Sequence, residues 1–152
     1  MNPTTEAAKA ITKEQTRQLN LAMEFIPEEK RRWKAGGCAK TPMDIYLECV
    51  VTYLWAAKLL RGESVDWAQL ARKAQEFSDF EKAKALAEQW QQEFFSAMDE
   101  VSQSRLEDKI DPGWGEKMPL GQFLFLPSYH VCYHCGQLNY VQTLLGDGEM
   151  HF

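Results

Sequence analysis

Residues 129–137 read Tyr-His-Val-Cys-Tyr-His-Cys-Gly-Gln and contain two of the three histidines of the chain. His130 and His134 are four residues apart, and on a helix this spacing places both imidazoles on one face, where they can hold one metal ion between them. The same spacing also fits two core histidines that are hydrogen-bonded to neighbouring groups. A third ligand from another part of the chain would favour the metal site.

Glu48 is the strongest candidate for that third ligand. Its helical neighbours are mainly apolar, and a carboxylate buried among them destabilises the fold unless it meets a cation, a metal or strong donors. Two imidazoles and one carboxylate form a recognised ligand set for zinc and other divalent metals. The pattern therefore predicts a metal site of Glu48, His130 and His134. In the alternative, Glu48 lies at the edge of the apolar face and reaches solvent or pairs with a Lys or Arg.

Cys132 and Cys135 form a C-x-x-C pair within the same stretch. On a straight helix at about 100° per residue, Cys132 lies about 200° from His130 and Cys135 about 100° from His134. Neither thiol therefore shares the histidine face. No strand of a redox βαβ unit precedes the pair, so the interpretation is that of small core-filling residues, neither a disulfide nor a metal site.

On either side of this stretch, helix-forming residues fill every long segment of the chain. Thr41 and Asp66 are predicted to cap helices, and Pro127 requires a kink or a break within the last one. The first predicted helix runs from Thr4 or Thr5, the expected N-cap, to about Phe25, and the second runs from Pro42 to Leu60 or Arg61. Helical sequence then continues from Trp67 to about Ser104, with an interruption at Ser78-Asp79. The last predicted helix runs from Leu120 to Leu145. A short helix is predicted over Pro27–Trp33 and a loop over Asp108–Pro119. No stretch alternates convincingly, so we expect an all-α four-helix bundle without a sheet.

Length and composition limit the remaining classes. The 152 residues suit one domain, 1–152, and a content of 45% hydrophobic and 26% charged residues is that of a folded soluble protein. A net charge of −5 argues against nucleic acid as a partner. No export segment is visible, and the most apolar stretch carries charges that make it a poor membrane span. These features predict a cytoplasmic protein in which all cysteines, including Cys38 and Cys49, are free thiols without a visible base partner.

Three segments resemble the DinB-like superfamily, which includes YfiT-like metal-dependent members. Residues 25–33 are similar to the family's exit from its first helix, and residues 41–48 resemble the Ser/Thr-led start of its second helix. The most specific likeness is His130-x-x-x-His134-x-Gly136-Gln137, which matches the H-x-x-x-H-x-G-Q signature of the family's last helix. The resemblance spans most of the chain, as a loose pattern outside that helix.

The resemblance implies a bundle of up-down-down-up connectivity, often dimeric, with a divalent metal held by three histidines. Two of these correspond to His130 and His134, whereas Glu48 stands at the position of the third. Because some relatives are S-transferases that bind a small thiol through their metal, we expect a zinc or nickel protein that transfers a low-molecular-weight thiol to an electrophile, as a homodimer. The alternatives are a non-catalytic stress or interaction module with a vestigial site and a metal-dependent hydrolase.

Overall fold

The computed structural model describes residues 2–77 and 79–151, and four long helices account for most of them. Short helices flank the bundle, and two-residue strands β1 and β2 pair antiparallel, with Ile110 opposite Met118. The elements are α1 (Pro3–Glu24), α2 (Pro42–Leu60), α3 (Trp67–Gln75), α4 (Phe80–Asp99), β1 (Lys109–Ile110), β2 (Met118–Pro119), α5 (Leu120–Phe123) and α6 (Leu126–Leu144). The expected all-α class is confirmed, although the expectation of no sheet at all is wrong for this small ladder.

The helix starts are set by side-chain caps. The Thr41 hydroxyl accepts a hydrogen bond from the Asp44 amide, and the Asp44 carboxylate accepts one from the Thr41 amide, which completes a capping box at α2. Asp66 caps α3 as predicted. At α1 the predicted cap is wrong, because Asn2 accepts from the Thr4 amide at 3.0 Å. Pro3 has no amide N–H, so the first free amide of the helix is that of Thr4, which the Asn2 side chain caps. The helix therefore begins earlier than predicted.

Helices α1 and α2 run in opposite directions. The Tyr46 hydroxyl donates to Asn20 Oδ1 at 2.6 Å. About one turn earlier in α1 and two turns later in α2, the hydroxyls of Thr16 and Tyr53 lie 2.6 Å apart. Residue numbers therefore rise in α2 as they fall in α1. A downward second helix is what the up-down-down-up connectivity requires.

Helix α4 is also antiparallel to α1 and therefore parallel to α2. Lys84 pairs with Glu24 at 2.7 Å near one end of the bundle, and Lys9 pairs with Asp99 at 2.5 Å near the other. Two consecutive downward helices need a connection that crosses the length of the bundle. Helix α3 and its flanking loops supply it, and α3 packs against α2.

Helix α6 completes the bundle and runs antiparallel to α2. Ile45 and Val141 border one cavity at the start of α2, while Thr52 and His130 border another one further along. The buried Gln142 side chain also donates to the Ala22 carbonyl at 2.7 Å, which ties the ends of α1 and α6 together. The contacts confirm the up-down-down-up bundle.

Helix α2 is the centre of the core, since it contacts α3, α4 and α6. A helix that is apolar around most of its circumference is stable only when neighbours cover it. The residues of α2 that are completely buried are Tyr46, Cys49, Val50, Tyr53, Ala56 and Ala57. The polar side chains at the edge of this buried surface include Glu48, which is only partly exposed.

Several predicted boundaries differ from the observed ones. The helix expected over Pro27–Trp33 is only one turn of 3₁₀ helix at Glu28–Lys30. The long helix expected to end near Ser104 ends at Asp99. Of the predicted interruption, Asp79 caps α4, and Ser78 lies outside the described residues.

The break expected near Pro127 is present between α5 and α6. Pro127 occupies the first turn of α6, where a helical amide has no partner within the helix, so its missing N–H costs nothing. Because of this break, α6 is a separate helix that packs beside α2 with its histidines towards α2. None of the helices in the described residues is long and apolar enough to span a bilayer.

Candidate metal centre

Helices α2 and α6 bring three metal-binding side chains together near the middle of the bundle. The Cys49 sulfur and one ring nitrogen each from His130 and His134 all lie within 4.8 Å of one another. The histidine rings share one face of α6, with centroids 4.4 Å apart, as their spacing predicts. Ligand atoms around a tetrahedral zinc ion are about 3.5 Å apart, so small side-chain rotations would bring these donors to bonding distance.

Glu48 lies beside the same group. Its Oε1 is 3.7 Å from His134 Nε2, while its Oε2 accepts a hydrogen bond from the Lys40 ammonium. The two interpretations of the sequence therefore both describe real contacts, because Glu48 faces a histidine and also pairs with a lysine. The neighbouring His134 imidazole and Lys40 ammonium lower the pKa of the Glu48 carboxyl to about 2, against an opposing effect of burial. Glu48 is therefore a carboxylate at neutral pH.

His134 is oriented by Gln137, one turn further along α6. Its Nδ1 lies 2.7 Å from the Gln137 Oε1, which can only accept a hydrogen bond, so Nδ1 carries the proton. Nε2 faces the Glu48 carboxylate, with its Oε1 3.7 Å away, so a proton or a metal ion is needed between these two atoms. Outer-shell partners of this kind fix the tautomer and direction of histidine ligands in metal proteins.

His130 has a nitrogen that nothing in the described residues satisfies. Its Nε2 is buried and has no hydrogen-bond partner. Burial, together with the positive charge that His134 can carry, lowers the pKa of His130 to about 4. The ring is therefore neutral at physiological pH, which is the form that binds metals. A buried, unpaired imidazole nitrogen is unfavourable unless a ligand completes it.

Cys49 was not predicted to belong to this site. It is completely buried, and burial raises the pKa of its thiol far above the usual range. A bound metal ion would remove that proton, because a coordinating thiol is deprotonated. Its position directly after Glu48 was the one available signal, since neighbouring residues on a helix lie only about 100° apart and both can border one site.

The donors face a cavity of about 760 Å³ between α2 and α6. Glu48, His130, His134 and Gln137 contribute to its wall, together with exposed Tyr133. Gly136 also borders it, and a Cβ there would meet no atom within 4 Å, so its absence leaves the entrance wider. The volume is in the range of sites for small molecules. A ligand could therefore reach the metal-binding side chains from solvent.

The two thiols of the C-x-x-C pair differ in their surroundings, and Cys135 lies near enough to Cys49 to raise the pKa of that thiol. Cys132 is exposed and Cys135 is buried, and both are free thiols. Burial raises the pKa of Cys135 to about 12, so it is a poor nucleophile. Within residues 2–77 and 79–151, the group of potential metal ligands comprises Cys49, His130 and His134. The interpretation as core-filling residues holds for buried Cys135 and is wrong for exposed Cys132.

Comparisons with known proteins agree with this architecture. The model of the DinB family matches residues 2–152. A DinB-like protein from Bacillus subtilis has a similar structure, with 16% identity, a TM-score of 0.66 and coverage of 96% of both chains. The colibactin self-resistance protein ClbS, in complex with double-stranded DNA, has 15% identity and a TM-score of 0.67, covering 91% of this chain and 95% of that one.

A third similar structure is a substituted form of a mycothiol-dependent maleylpyruvate isomerase. Its identity is 12% and its TM-score 0.70, over 88% of this chain but only 60% of that one. No curated protein matches the sequence. At these identities the structural likenesses establish the fold, while the family model covers nearly every residue. The chain belongs to the DinB family.

Proposed function

We propose that His130, His134 and Glu48 bind a divalent metal ion, zinc or nickel, and that the protein is a metal-dependent S-transferase for a small thiol. The observation that carries this proposal is the buried, unpartnered Nε2 of His130, which lies beside His134 and a thiol in a solvent-accessible cavity. A core histidine would have an internal partner. The donor set has the nitrogen and oxygen atoms that divalent metals of this class prefer.

The metal, when bound, would lower the pKa of a coordinated thiol and so supply a thiolate at neutral pH. The chain's own residues prepare the site for that chemistry. Gln137 holds the Nδ1 proton of His134 and leaves Nε2 free to bind. Lys40 pairs with one oxygen of Glu48 and leaves the other directed towards His134, which keeps this carboxylate anionic and positioned.

Cys49 is the competing ligand, and the two possibilities can be separated by cobalt. A thiolate ligand to Co²⁺ produces an intense sulfur-to-metal charge-transfer band in the near ultraviolet, which a carboxylate does not. We expect Co²⁺-loaded protein to lack that band, because the proposed ligand set of Glu48, His130 and His134 contains no sulfur. A band that disappears in Cys49→Ser would replace Glu48 by Cys49 as the third ligand.

The first experiment is a metal analysis of natively purified protein, followed by isothermal titration with zinc and nickel. His134→Ala should abolish tight binding. His151→Ala is the matched control, because this third histidine lies 2.8 Å from Asp147 and outside the metal-binding group. Equal metal affinity in wild type and His134→Ala would reject the proposal and leave the non-catalytic module as the better description.

Thiol dependence separates the transferase from a hydrolase. With metal bound, the transferase should consume an added low-molecular-weight thiol and an electrophile together, in equal amounts. A hydrolase should act on its substrate without thiol, with Glu48 or a bound water as base. The similarity to a mycothiol-dependent enzyme supports the thiol alternative, because that relative is named for its thiol.

The net charge and the exposed surface bear on two further questions, whether the protein binds DNA and whether it forms a dimer. We propose a cytoplasmic homodimer that does not bind DNA, since a net charge of −5 disfavours phosphate contacts. Light scattering tests the dimer, and fluorescence anisotropy with a labelled duplex at low salt tests DNA. A candidate dimer surface is the exposed face of α6 formed by Tyr129, Tyr133, Tyr140 and Leu144.

A further inference from the structure

A second cavity, lined by three tryptophans, adjoins the metal-binding group. Its volume is about 400 Å³, and Trp55, Trp67 and Trp114 form much of its wall. The Trp55 and Trp67 rings meet at 80° with centroids 6.2 Å apart, while Trp55 and Trp114 are nearly parallel, at 23° and 6.3 Å. The three indoles therefore form a corner of flat apolar surfaces.

Two of these tryptophans are exposed, which is unusual for so large an apolar side chain. Trp114 is 59% and Trp67 39% exposed, whereas Trp55 is only 8% exposed and packs on Phe123 below it. Trp55 therefore forms the buried base of the cavity, and Trp67 and Trp114 lie at its opening. Exposed aromatic surface around a cavity typically marks a place where a ligand binds.

The loop that carries Trp114 has a defined shape. The Gly113 amide donates to the Asp111 side chain at 2.8 Å, and Gly113 and Gly115 both have positive φ angles, 108° and 87°. These are backbone conformations that residues with a Cβ rarely adopt. The turn therefore holds Trp114 over the cavity, where its ring also lies against that of the buried Trp55.

His130 connects this cavity to the candidate metal centre, because it borders both the tryptophan cavity and the larger cavity beside Glu48. A molecule bound against the indoles would thus have one end beside the metal-binding side chains. Among residues 2–77 and 79–151, no Asp, Glu, Lys or Arg lines the tryptophan cavity. Apart from the indoles, its polar side chains are those of His130 and Thr52. Nothing there compensates the desolvation of a charged ligand, so the lining favours a neutral apolar one.

We propose that the cavity formed by Trp55, Trp67 and Trp114 binds the neutral, planar aromatic part of the electrophile that receives the thiol. This inference rests on the proposed transferase function and names the class of its second substrate. Flat indole faces bind flat rings by stacking and edge-to-face contacts. A quaternary ammonium ion, which tryptophans also bind, is disfavoured because no carboxylate lines the cavity and a bound divalent ion would add positive charge beside it.

The binding test uses naphthalene, a neutral flat ring without a reactive group, and the indole N–H signals of ¹⁵N-labelled protein. The chain has five tryptophans, so each experiment contains its own control. Naphthalene should shift the signals of Trp55, Trp67 and Trp114 and leave those of Trp33 and Trp90 unchanged. Shifts at Trp33 or Trp90 alone, no shift up to the solubility limit, or equal shifts with tetramethylammonium would each overturn the inference.

Trp114→Ala sharpens the test because this side chain is 59% exposed, and thermal unfolding of the variant checks that it stays folded. Stacking of one ring on an aromatic side chain changes affinity by about tenfold when the side chain is truncated, and we expect that loss for naphthalene. Tyr129→Ala is the matched control: it removes an exposed aromatic ring that lines neither of the two cavities and should leave naphthalene affinity unchanged. Equal affinities in Trp114→Ala and wild type would overturn the proposal.

The kinetic test uses the zinc-loaded protein, a small thiol and chlorodinitrobenzene. In this reaction the thiolate sulfur bonds to the ring carbon, and chloride leaves with the electron pair of the broken carbon–chlorine bond. Trp114→Ala should raise KM for chlorodinitrobenzene about tenfold with little change in kcat. The small electrophile chloroacetamide should show no such change, and an equal change for both would contradict an aromatic subsite.

The two proposals fail in distinguishable ways. If zinc does not bind and no thiol is transferred, the proposed function falls, and with it the assignment of an electrophile, even where naphthalene shifts the three indoles. If zinc binds and thiol is transferred to chloroacetamide while naphthalene leaves the indoles unshifted, the transferase stands and the aromatic subsite is rejected. Success of all three measurements supports both.

Discussion

Two regions of the bundle with buried polar groups differ in how these groups are satisfied. Between α1, α2 and α4, the Thr16 hydroxyl donates to the Thr12 carbonyl at 2.8 Å and accepts from Tyr53, 2.6 Å away, and from Gln91. Since the single Thr16 proton is already used, Tyr53 must be a donor. Between α2 and α6, by contrast, His130 keeps a buried nitrogen without any partner.

The difference separates a region that stabilises the fold from the region where we propose that a metal ion binds. A complete hydrogen-bond network holds three helices in one arrangement, and it loses free energy when a member is removed. An incomplete one costs free energy in the folded protein until something binds. Both regions use α2, so the same helix contributes to a structural and to a functional polar cluster.

The largest expected effect is that of His130→Leu, which removes the unpartnered nitrogen. Metal affinity should fall by more than about 100-fold, since loss of a ligand exceeds the effect of losing an outer-shell partner. The free energy of unfolding measured with a chelator present should stay the same or rise, because an unsatisfied polar group has been replaced by an apolar one. Titration calorimetry and urea unfolding measure the two effects, and a clear loss of stability would show that His130 has a structural partner.

Glu48→Gln is expected to come next, with metal binding weakened about 100-fold, because a neutral amide replaces the anionic ligand at nearly constant volume. Glu48→His should restore binding by recreating the three-histidine set of the family, and it should favour nickel, zinc or copper over harder ions. If Glu48 serves only Lys40, both substitutions would destabilise the bundle and histidine would rescue nothing. Calorimetry with zinc and nickel, together with thermal unfolding, measures these changes.

Gln137→Ala should have a smaller effect of about tenfold on metal affinity, because His134 keeps its position on α6 but loses the partner that fixes its tautomer. Gln137→Glu, which retains an acceptor, should bind nearly as well as wild type. The measurement is zinc titration of both variants at one pH. An unchanged affinity for Gln137→Ala would remove Gln137 from the site.

Tyr53→Phe tests the complete network. It should lower the free energy of unfolding by about 1 kcal/mol, the usual net contribution of one buried hydrogen bond, and leave metal affinity unchanged. Tyr129→Phe is the matched control, since Tyr129 is 65% exposed and its loss should have no measurable effect on stability. Urea unfolding of both variants decides the matter, and equal stability would mean that the network contributes nothing.

The smallest effect is expected for the double variant Cys132→Ala, Cys135→Ala. Both thiols lie off the histidine face, so metal content should equal that of wild type, and only the filling of the core at buried Cys135 should change. Elemental analysis after dialysis measures it. A protein that stays folded and loses its metal would show that the C-x-x-C pair takes part after all.

Much of the fold could be predicted because it depends on local sequence. The capping box at Thr41 and the break before Pro127 arise from residues within one turn, and both are present. Some helix ends differ from the predicted ones, such as the end of α4 at Asp99. At these ends, a composition rich in helix formers continues beyond the actual helix. Propensity cannot place such an end, because tertiary contacts decide where the last turn stops.

The sequence by itself determined that His130 and His134 share one helix face, since their spacing matches one helical turn. Only the tertiary structure decided that Cys49 joins them, that Glu48 meets both His134 and Lys40, and that three tryptophans from separate segments surround one cavity. The physical reason is range. The direction of a side chain along its own helix follows from the backbone, whereas its neighbours on other helices depend on how those helices cross, rotate and pack.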